Sequence, residues 1–352
     1  VQKLNPENHT LRPLGRDAQL GASYSGQTQA PLLVLVVGET GRSGNFALNG
    51  YARATTPQLS ARSDLSSARN AWSCGTSTAA SVPCMFSHLG RDGFESRKAN
   101  YESLIDVLHH AGLAVLWVDN QAGCKGVCER IGEVRTTALQ DPVLCPGGEC
   151  LDPIMLGDLD QRLAELPAEQ RSRGTVVVMH QMGSHGPAYF KRSAAALKKF
   201  QPECTSTNLQ ECTQEQVVNA YDNSIVQTDQ FLDSVLNWLS DQSDKAQTAM
   251  IYVADHGESL GENNIYLHGL PYSIAPDVQK HVPWITWLSP AMQARTHVTT
   301  GCLQQDVAQR RVTHDNYFHS VLGLMDVQTG AYSPALDMFA GCRQQPNGPL
   351  AG

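Results

Sequence analysis

"VVGETGRSGNFALNGYARATTPQL", residues 36–59, decides how the chain is read. It ends an apolar run, "APLLVLVV" at 30–37, which breaks at Glu39 and Thr40 before a glycine-rich loop. A run apolar on both faces reads as a strand of a mostly parallel sheet covered by helices. A carboxylate at the end of such a strand must be solvated, paired or metal-bound, because burying it alone costs several kcal/mol. Glu39 is therefore the first candidate site residue.

Three further apolar segments repeat the strand pattern: Ala114–Val118, Thr175–Met179 and Met250–Val253. Helical periodicity lies between them. Asn100 is placed to cap a helix carrying Leu104, Val107, Leu108 and Ala111, with Gly112 as its stop. Thr213 and Gln216 have capping-box spacing ahead of a longer helix with Val218, Tyr221, Ile225, Leu232, Val235 and Leu239 on one stripe. No repeat or linker interrupts the pattern, so residues 1–352 read as a single α/β domain with a central, mostly parallel sheet flanked by helices. The Cys-, Gly- and Pro-rich stretch from about 123 to 152 reads as an excursion from it.

Composition narrows the function classes. With 41% hydrophobic and 17% charged residues the chain is globular, and a net charge of -8 argues against nucleic acid as a partner. No apolar run approaches the roughly 20 residues needed to cross a bilayer. The start at Val1, without a signal-peptide pattern behind it, reads as a processed or truncated fragment. Ten cysteines at short spacings suggest five disulfides, Cys74–Cys84, Cys124–Cys128, Cys145–Cys150, Cys204–Cys212 and, by elimination, Cys302–Cys342. An oxidising compartment follows, periplasmic or extracellular. The spacings among Cys124, Cys128, Cys145 and Cys150 do not suit a zinc ribbon.

Ligands of open α/β sheets bind beyond the carboxyl ends of the strands, where polar residues collect here. The third strand is followed by "HQMGSHGP", with His180 and His185, and the fourth by "ADHGESLGENNIYLHG", with Asp255, His256, Glu258 and His268. Together with Glu39, Asp255 and His256 form a carboxylate and imidazole set suited to zinc. "SCGTSTAASVPC", residues 73–84, sets small hydroxyl residues at a potential helix start, whose N–H groups attract an anion. A hydroxyl on zinc becomes a nucleophile, and composition leaves Thr76, Ser77 and Thr78 as candidates. "YFKRSAAALKKF", residues 189–200, reads either as a basic segment resting on anionic lipid headgroups or as a solvated helix face with Phe200 packed inward.

Together these motifs resemble the lipid A phosphoethanolamine transferases, the family that includes the mobile colistin-resistance enzymes. "VVGETGRSGNFALNGYARATTPQL", "SCGTSTAASVPCMF", "HQMGSHGPAYFKR", "AYDNSIVQTDQFL" and "DHGESLGENNIYLHGLP" stand in family order. The resemblance implies an alkaline phosphatase/sulfatase-like fold and an N-terminal membrane domain that this chain lacks. It also implies a place on the periplasmic face of the bacterial inner membrane. Glu39, Thr78, Asp255 and His256 match the ligands of one tight zinc, with Thr78 as nucleophile. Glu258, His185 and His268 match the second half of the site, where a substrate phosphate or a second, weaker zinc sits and where His185 or His268 moves protons. Lys125 and Gln121 match substrate contacts, Gln121 standing where some relatives carry Asn. The implied reaction transfers phosphoethanolamine from phosphatidylethanolamine to a lipid A phosphate through a phosphoethanolamine-threonine, which lowers surface charge and gives polymyxin and colistin resistance. The chain is expected to act as a monomer. The alternative is a periplasmic phosphodiesterase of the same superfamily; a sulfatase would need a Cys- or Ser-derived nucleophile where Thr78 stands.

Overall fold

The four apolar segments become neighbouring strands of one seven-stranded sheet in the computed structural model, which describes residues 10–343. In chain order the strands are β1 (Ala30–Gly38), β2 (Leu65–Ala68), β3 (Ala114–Asp119), β4 (Val134–Arg135), β5 (Thr175–His180), β6 (Ala246–Ala254) and β7 (Trp284–Leu288). Across the sheet they lie in the order β2-β7-β6-β1-β5-β3-β4. Strands β6, β1, β5, β3 and β4 pair in parallel, while β7 pairs antiparallel with both β6 and β2.

Alternation along the strands divides the core in two. Leu33, Leu35 and Val37 of β1 join Val176, Val178, Ile251 and Val253 on one face, packed with Phe318 and Leu322. Val34 and Val36 join Val177, Met179, Met250 and Tyr252 on the other. Three helices matter for the site: α1 (Thr78–Met85), α2 (Leu104–His110) and α3 (Gln214–Asp241). Helix α3 starts at the expected capping box of Thr213 and Gln216 and buries Val217, Tyr221, Ile225, Phe231, Leu232, Val235 and Leu239. Burying a side chain of this size stabilises by about 1.5–3 kcal/mol. Helix α2 is capped by Ser103, which forms a capping box with Asp106, and not by Asn100. Asn100 and Tyr101 instead pair as a short strand with Leu11 and Arg12, which takes Asn100 out of the cap position.

Strand register builds the site. Gly38 pairs with Ala254 and Val37 with His180, so the segments leaving β1, β5 and β6 emerge at one level. No helix among the described residues is long and apolar enough to cross a membrane.

Four of the five expected disulfides form: Cys124–Cys128, Cys145–Cys150, Cys204–Cys212 and Cys302–Cys342. The fifth does not. Cys74 and Cys84 are buried thiols, and the Cys74 sulfur lies 3.6 Å from the Ser81 carbonyl oxygen and 3.3 Å from His314 Nδ1. Hydrogen bonding takes the place of the expected bridge. The 189–200 segment is also not a helix. It holds two 3₁₀ turns, Tyr189–Lys191 and Ala195–Leu197. Two of its cations are engaged, Arg192 with Glu149 and Lys198 with Glu203, Ser193 and the Phe190 carbonyl.

Candidate active site

Thr78 is the first residue of α1, whose cap is Ser77, with the Ser77 side chain accepting from Ala80 N. Its hydroxyl lies 2.8 Å from each oxygen of the Glu39 carboxylate. A hydroxyl has one proton and can donate to only one of them at a time. His256 Nε2 stands 3.5 Å from Glu39 Oε1 and 3.5 Å from Asp255 Oδ2. Glu39, Asp255 and His256 thus bring three ligand-type atoms within 4.8 Å of one another.

Two of these atoms, Asp255 Oδ2 and His256 Nε2, are buried without a hydrogen-bond partner among the described residues. Buried polar atoms are ordinarily satisfied, so this pair is suited to hold a cation. Its ring orientation fits. His256 Nδ1 donates to the Gly257 carbonyl oxygen at 2.6 Å, which turns Nε2 towards the carboxylates and leaves its lone pair for a metal. Burial opposes charge on this imidazole, but Asp255 and Glu39 push its pKa up to about 10. Burial, reinforced by the adjacent Glu39, raises Asp255 to about 7. Burial likewise acts against ionised Glu39, yet His256 holds it below the usual carboxylate range. A potential that binds a proton this firmly offers a divalent cation the same attraction.

The loop after β1 is held by its own backbone. Thr40 sits at φ 59, a conformation that non-glycine residues rarely adopt. Its N–H donates to Asp255 Oδ1 at 3.1 Å, its hydroxyl to Glu39 Oε1 at 3.1 Å, and its carbonyl accepts from Tyr221 OH at 2.6 Å. Those three bonds over-determine the strained turn, as is common at functional sites. Gly183, at φ +53, packs so close that a Cβ there would lie 2.6 Å from the Glu39 carbonyl oxygen.

Beside this cluster lies a second group. Glu258 accepts from Tyr189 OH at 2.5 Å and pairs with His268 Nδ1 at 2.8 Å, and the His268 ring lies 4.2 Å from that of His256. His185 is half-buried, with burial lowering its pKa and Glu39 pulling the other way. The structure therefore gathers Glu39, Thr78, Asp255 and His256, with Glu258 and His268 alongside. Lys125 and Gln121 have partners of their own. Lys125 reaches the Ala122 carbonyl and lines a groove of about 380 Å³ with Arg97, Tyr101 and Arg130. Gln121 is buried, its N–H bound to Asp119 Oδ1 and its side-chain oxygen to Ala122 N.

Sequence reasoning named His180 but passed over Asp152 and Asp119, which support the cluster. Asp152 is buried at the end of the cysteine-rich excursion and accepts from Met182 N, Gly183 N, Asn120 Nδ2 and Gln181 Nε2, fixing the loop that packs on Glu39. His180 Nδ1 pairs with Asp119 Oδ2 at 2.8 Å, with both side chains fully buried. Burial disfavours the charged imidazole, but Asp119 outweighs it and raises the pKa of His180. The available signal was "WVDN", a second strand ending on a carboxylate as β1 does.

The sulfatase family profile matches residues 31–327. Phosphoethanolamine transferase EptA of Escherichia coli strain K12 is 43% identical over 338 residues, covering 96% of this chain and 61% of that protein. Phosphatidylethanolamine transferase Mcr-1 of Escherichia coli is 39% identical over 303 residues, 84% of this chain and 54% of that protein. The chain thus spans less than two thirds of the length of these relatives. The soluble domain of lipooligosaccharide phosphoethanolamine transferase A from Neisseria meningitidis superposes with a TM-score of 0.90 at 40% identity, covering 96% of this chain and 100% of that one. The integral membrane protein of that name superposes equally well, with 62% of its chain covered. Cluster, sheet and likeness agree: the chain belongs to the sulfatase family and, within it, to the soluble catalytic domains of the phosphoethanolamine transferases.

Proposed function

We propose that the chain transfers phosphoethanolamine from phosphatidylethanolamine to a lipid A phosphate, with Thr78 as the covalent carrier. The observation that carries this reading is the Thr78 hydroxyl, 2.8 Å from both Glu39 oxygens and beside the unpartnered Asp255 Oδ2 and His256 Nε2. Glu39, Asp255, His256 and Thr78 would hold one zinc ion. Bound there, zinc lowers the pKa of the threonine hydroxyl and polarises a phosphoryl oxygen.

The chain's own residues do the rest. Glu39 is placed to take the Thr78 proton as Oγ1 forms a bond to the donor phosphorus and the bond to the diacylglycerol oxygen breaks. The phosphoethanolamine then resides on Thr78. His268, oriented by Glu258, and His185 flank the place where a phosphate of the acceptor attacks the same phosphorus and Thr78 leaves. Replacing a lipid A phosphate charge by a zwitterion weakens binding of cationic peptides such as polymyxins. The relatives' names support donor and reaction type, and the integral membrane relative supports membrane attachment, which we place at the periplasmic face of the inner membrane.

Intact-mass analysis with peptide mapping tests the reading. Incubation with a short-chain phosphatidylethanolamine should add one phosphoethanolamine at Thr78 in the wild type and none in Thr78→Ala. Modification at another residue sinks the nucleophile. Rapid donor hydrolysis without lipid A modification, even in a full-length protein, would favour the phosphodiesterase.

A further inference from the structure

The two halves of the site lie on segments far apart in sequence, the loop from Ser73 to Thr78 and the end of β6 at Ala254–His256. A third segment ties them together. His314, only 1% exposed, accepts the Cys74 backbone N–H at Nδ1 (3.0 Å) and meets the Ala254 carbonyl oxygen at Nε2 (3.0 Å). An amide N–H can only donate and a carbonyl can only accept, so these partners dictate a single neutral tautomer with the proton on Nε2. Burial, which holds this imidazole down to about pKa 4, favours the same form.

The ring is itself fixed. Thr313 caps the 3₁₀ turn His314–Asn316, accepting from Asp315 N at 3.1 Å and donating its own N–H to Asn316 Oδ1 at 2.8 Å. Val312 and Thr313 pair in parallel with Ala71 and Trp72, the strand that leads into Cys74. Cys74 stands four residues before Thr78, and Ala254 directly before Asp255.

We propose that His314 is a positioning residue for the transfer reaction, a rigid spacer whose two ring nitrogens set the separation between the nucleophile loop and the Asp255–His256 pair. The inference rests on Thr78 as nucleophile and concerns a residue that touches neither substrate nor metal. Its chemistry is demanding. Asn keeps only an acceptor towards Cys74, Gln only a donor towards Ala254, and Phe keeps the ring volume but neither bond.

Three variants of the zinc-loaded chain, His314→Phe, His314→Asn and His314→Gln, therefore separate positioning from packing. The measurements are the single-turnover rate of Thr78 modification by a short-chain phosphatidylethanolamine, zinc release to a chelating dye, and hydrogen–deuterium exchange of the peptide spanning residues 73–78. His314→Phe should slow modification by about 100-fold at unchanged donor half-saturation, as expected of a misplaced nucleophile. It should release zinc on the order of 10-fold more readily and speed exchange of that peptide. Asn and Gln should each restore part of the rate. Wild-type rate and zinc retention in all three variants would overturn the proposal, as would rates that fall only in proportion to the folded fraction seen by thermal unfolding. If the Phe variant does not fold, Asn and Gln decide: wild-type behaviour in both overturns it. If the wild type itself is not modified at Thr78, the transfer reading fails, while zinc release and exchange still judge His314.

Discussion

Thr78 and Glu39 meet at 2.8 Å although one begins a helix and the other follows a strand 39 residues earlier. The carboxylate is buried, so the hydroxyl is both its hydrogen-bond donor and a neighbour of the orphaned Asp255 and His256 atoms. This pairing makes charge at Glu39, not just shape, the requirement. Glu39→Gln should lower the rate of Thr78 modification by at least about 10³-fold and weaken zinc binding by about 10–100-fold. Thr78→Ser keeps the hydroxyl and should retain activity within about 10-fold. Rapid-quench mass spectrometry and zinc competition measure both. A fully active Gln variant would remove Glu39 from the site.

Metal removal should be felt in stability as well as in turnover. Without a cation, Glu39 and Asp255 face each other in a buried site, and the proton shared with His256 only partly offsets that repulsion. Zinc binds the folded chain, so raising free zinc to about 100 times its dissociation constant should add about 2.7 kcal/mol. Calorimetry of chelator-treated protein should show a lower Tm that zinc restores and magnesium does not. An identical Tm with and without zinc would contradict the ligand set.

A pH effect is expected away from the metal site. Asp229 on α3 accepts from Gln58 N and Leu59 N, and burial pushes its carboxyl from 3.8 up to about 6. Below about pH 4 both folded and unfolded forms are protonated and the group contributes no difference. Between about pH 4 and 6 the unfolded chain ionises while the folded one keeps its proton, so stability falls as pH rises, by on the order of 3 kcal/mol, and then levels off. Urea titrations of wild type and Asp229→Asn at pH 4, 5, 6 and 7 isolate this effect. Their difference should shrink across that window; a difference independent of pH refutes the shifted carboxyl.

The sheet was legible because β1, β3, β5 and β6 are apolar on both faces, a pattern few other structures tolerate. The site was legible where a polar residue interrupts such a run, as at Glu39 and Asp255. Asp152 and His314 were not, because each acts through backbone groups supplied by distant segments, and no local pattern marks a side chain that will meet them. Asn100 misled for a related reason. Its cap-like spacing is local, whereas its pairing with Leu11 is set by tertiary structure. Lys125 was tied to the site by family likeness alone, and its place in the groove beside Arg97 and Arg130 follows from a loop whose path the sequence does not encode in any short motif.

The half-reactions should come apart in this chain when it is studied by itself. The proposed nucleophile and ligand set lie within the described residues, whereas the chain spans 61% of EptA from Escherichia coli, and the integral membrane relative carries further sequence. Uptake of phosphoethanolamine needs only a donor phosphorus at Thr78, so a dispersed short-chain donor should suffice. Transfer needs the acceptor phosphate held in line with the same phosphorus, and orientation of that kind can contribute about 7–11 kcal/mol to a barrier. Residues 1–352 tested by themselves forfeit whatever share of it the rest of the relatives' length supplies. Thr78 should therefore become modified, lose the group slowly to water, and pass it to lipid A at least about 100-fold more slowly than a membrane-embedded full-length protein. Parallel time courses of Thr78 occupancy and lipid A mass, with detergent-dispersed lipid A as acceptor, follow both steps. Equal transfer rates in the two proteins would show that the acceptor is oriented wholly by these residues, and the search for its binding surface would then move to the groove beside Lys125.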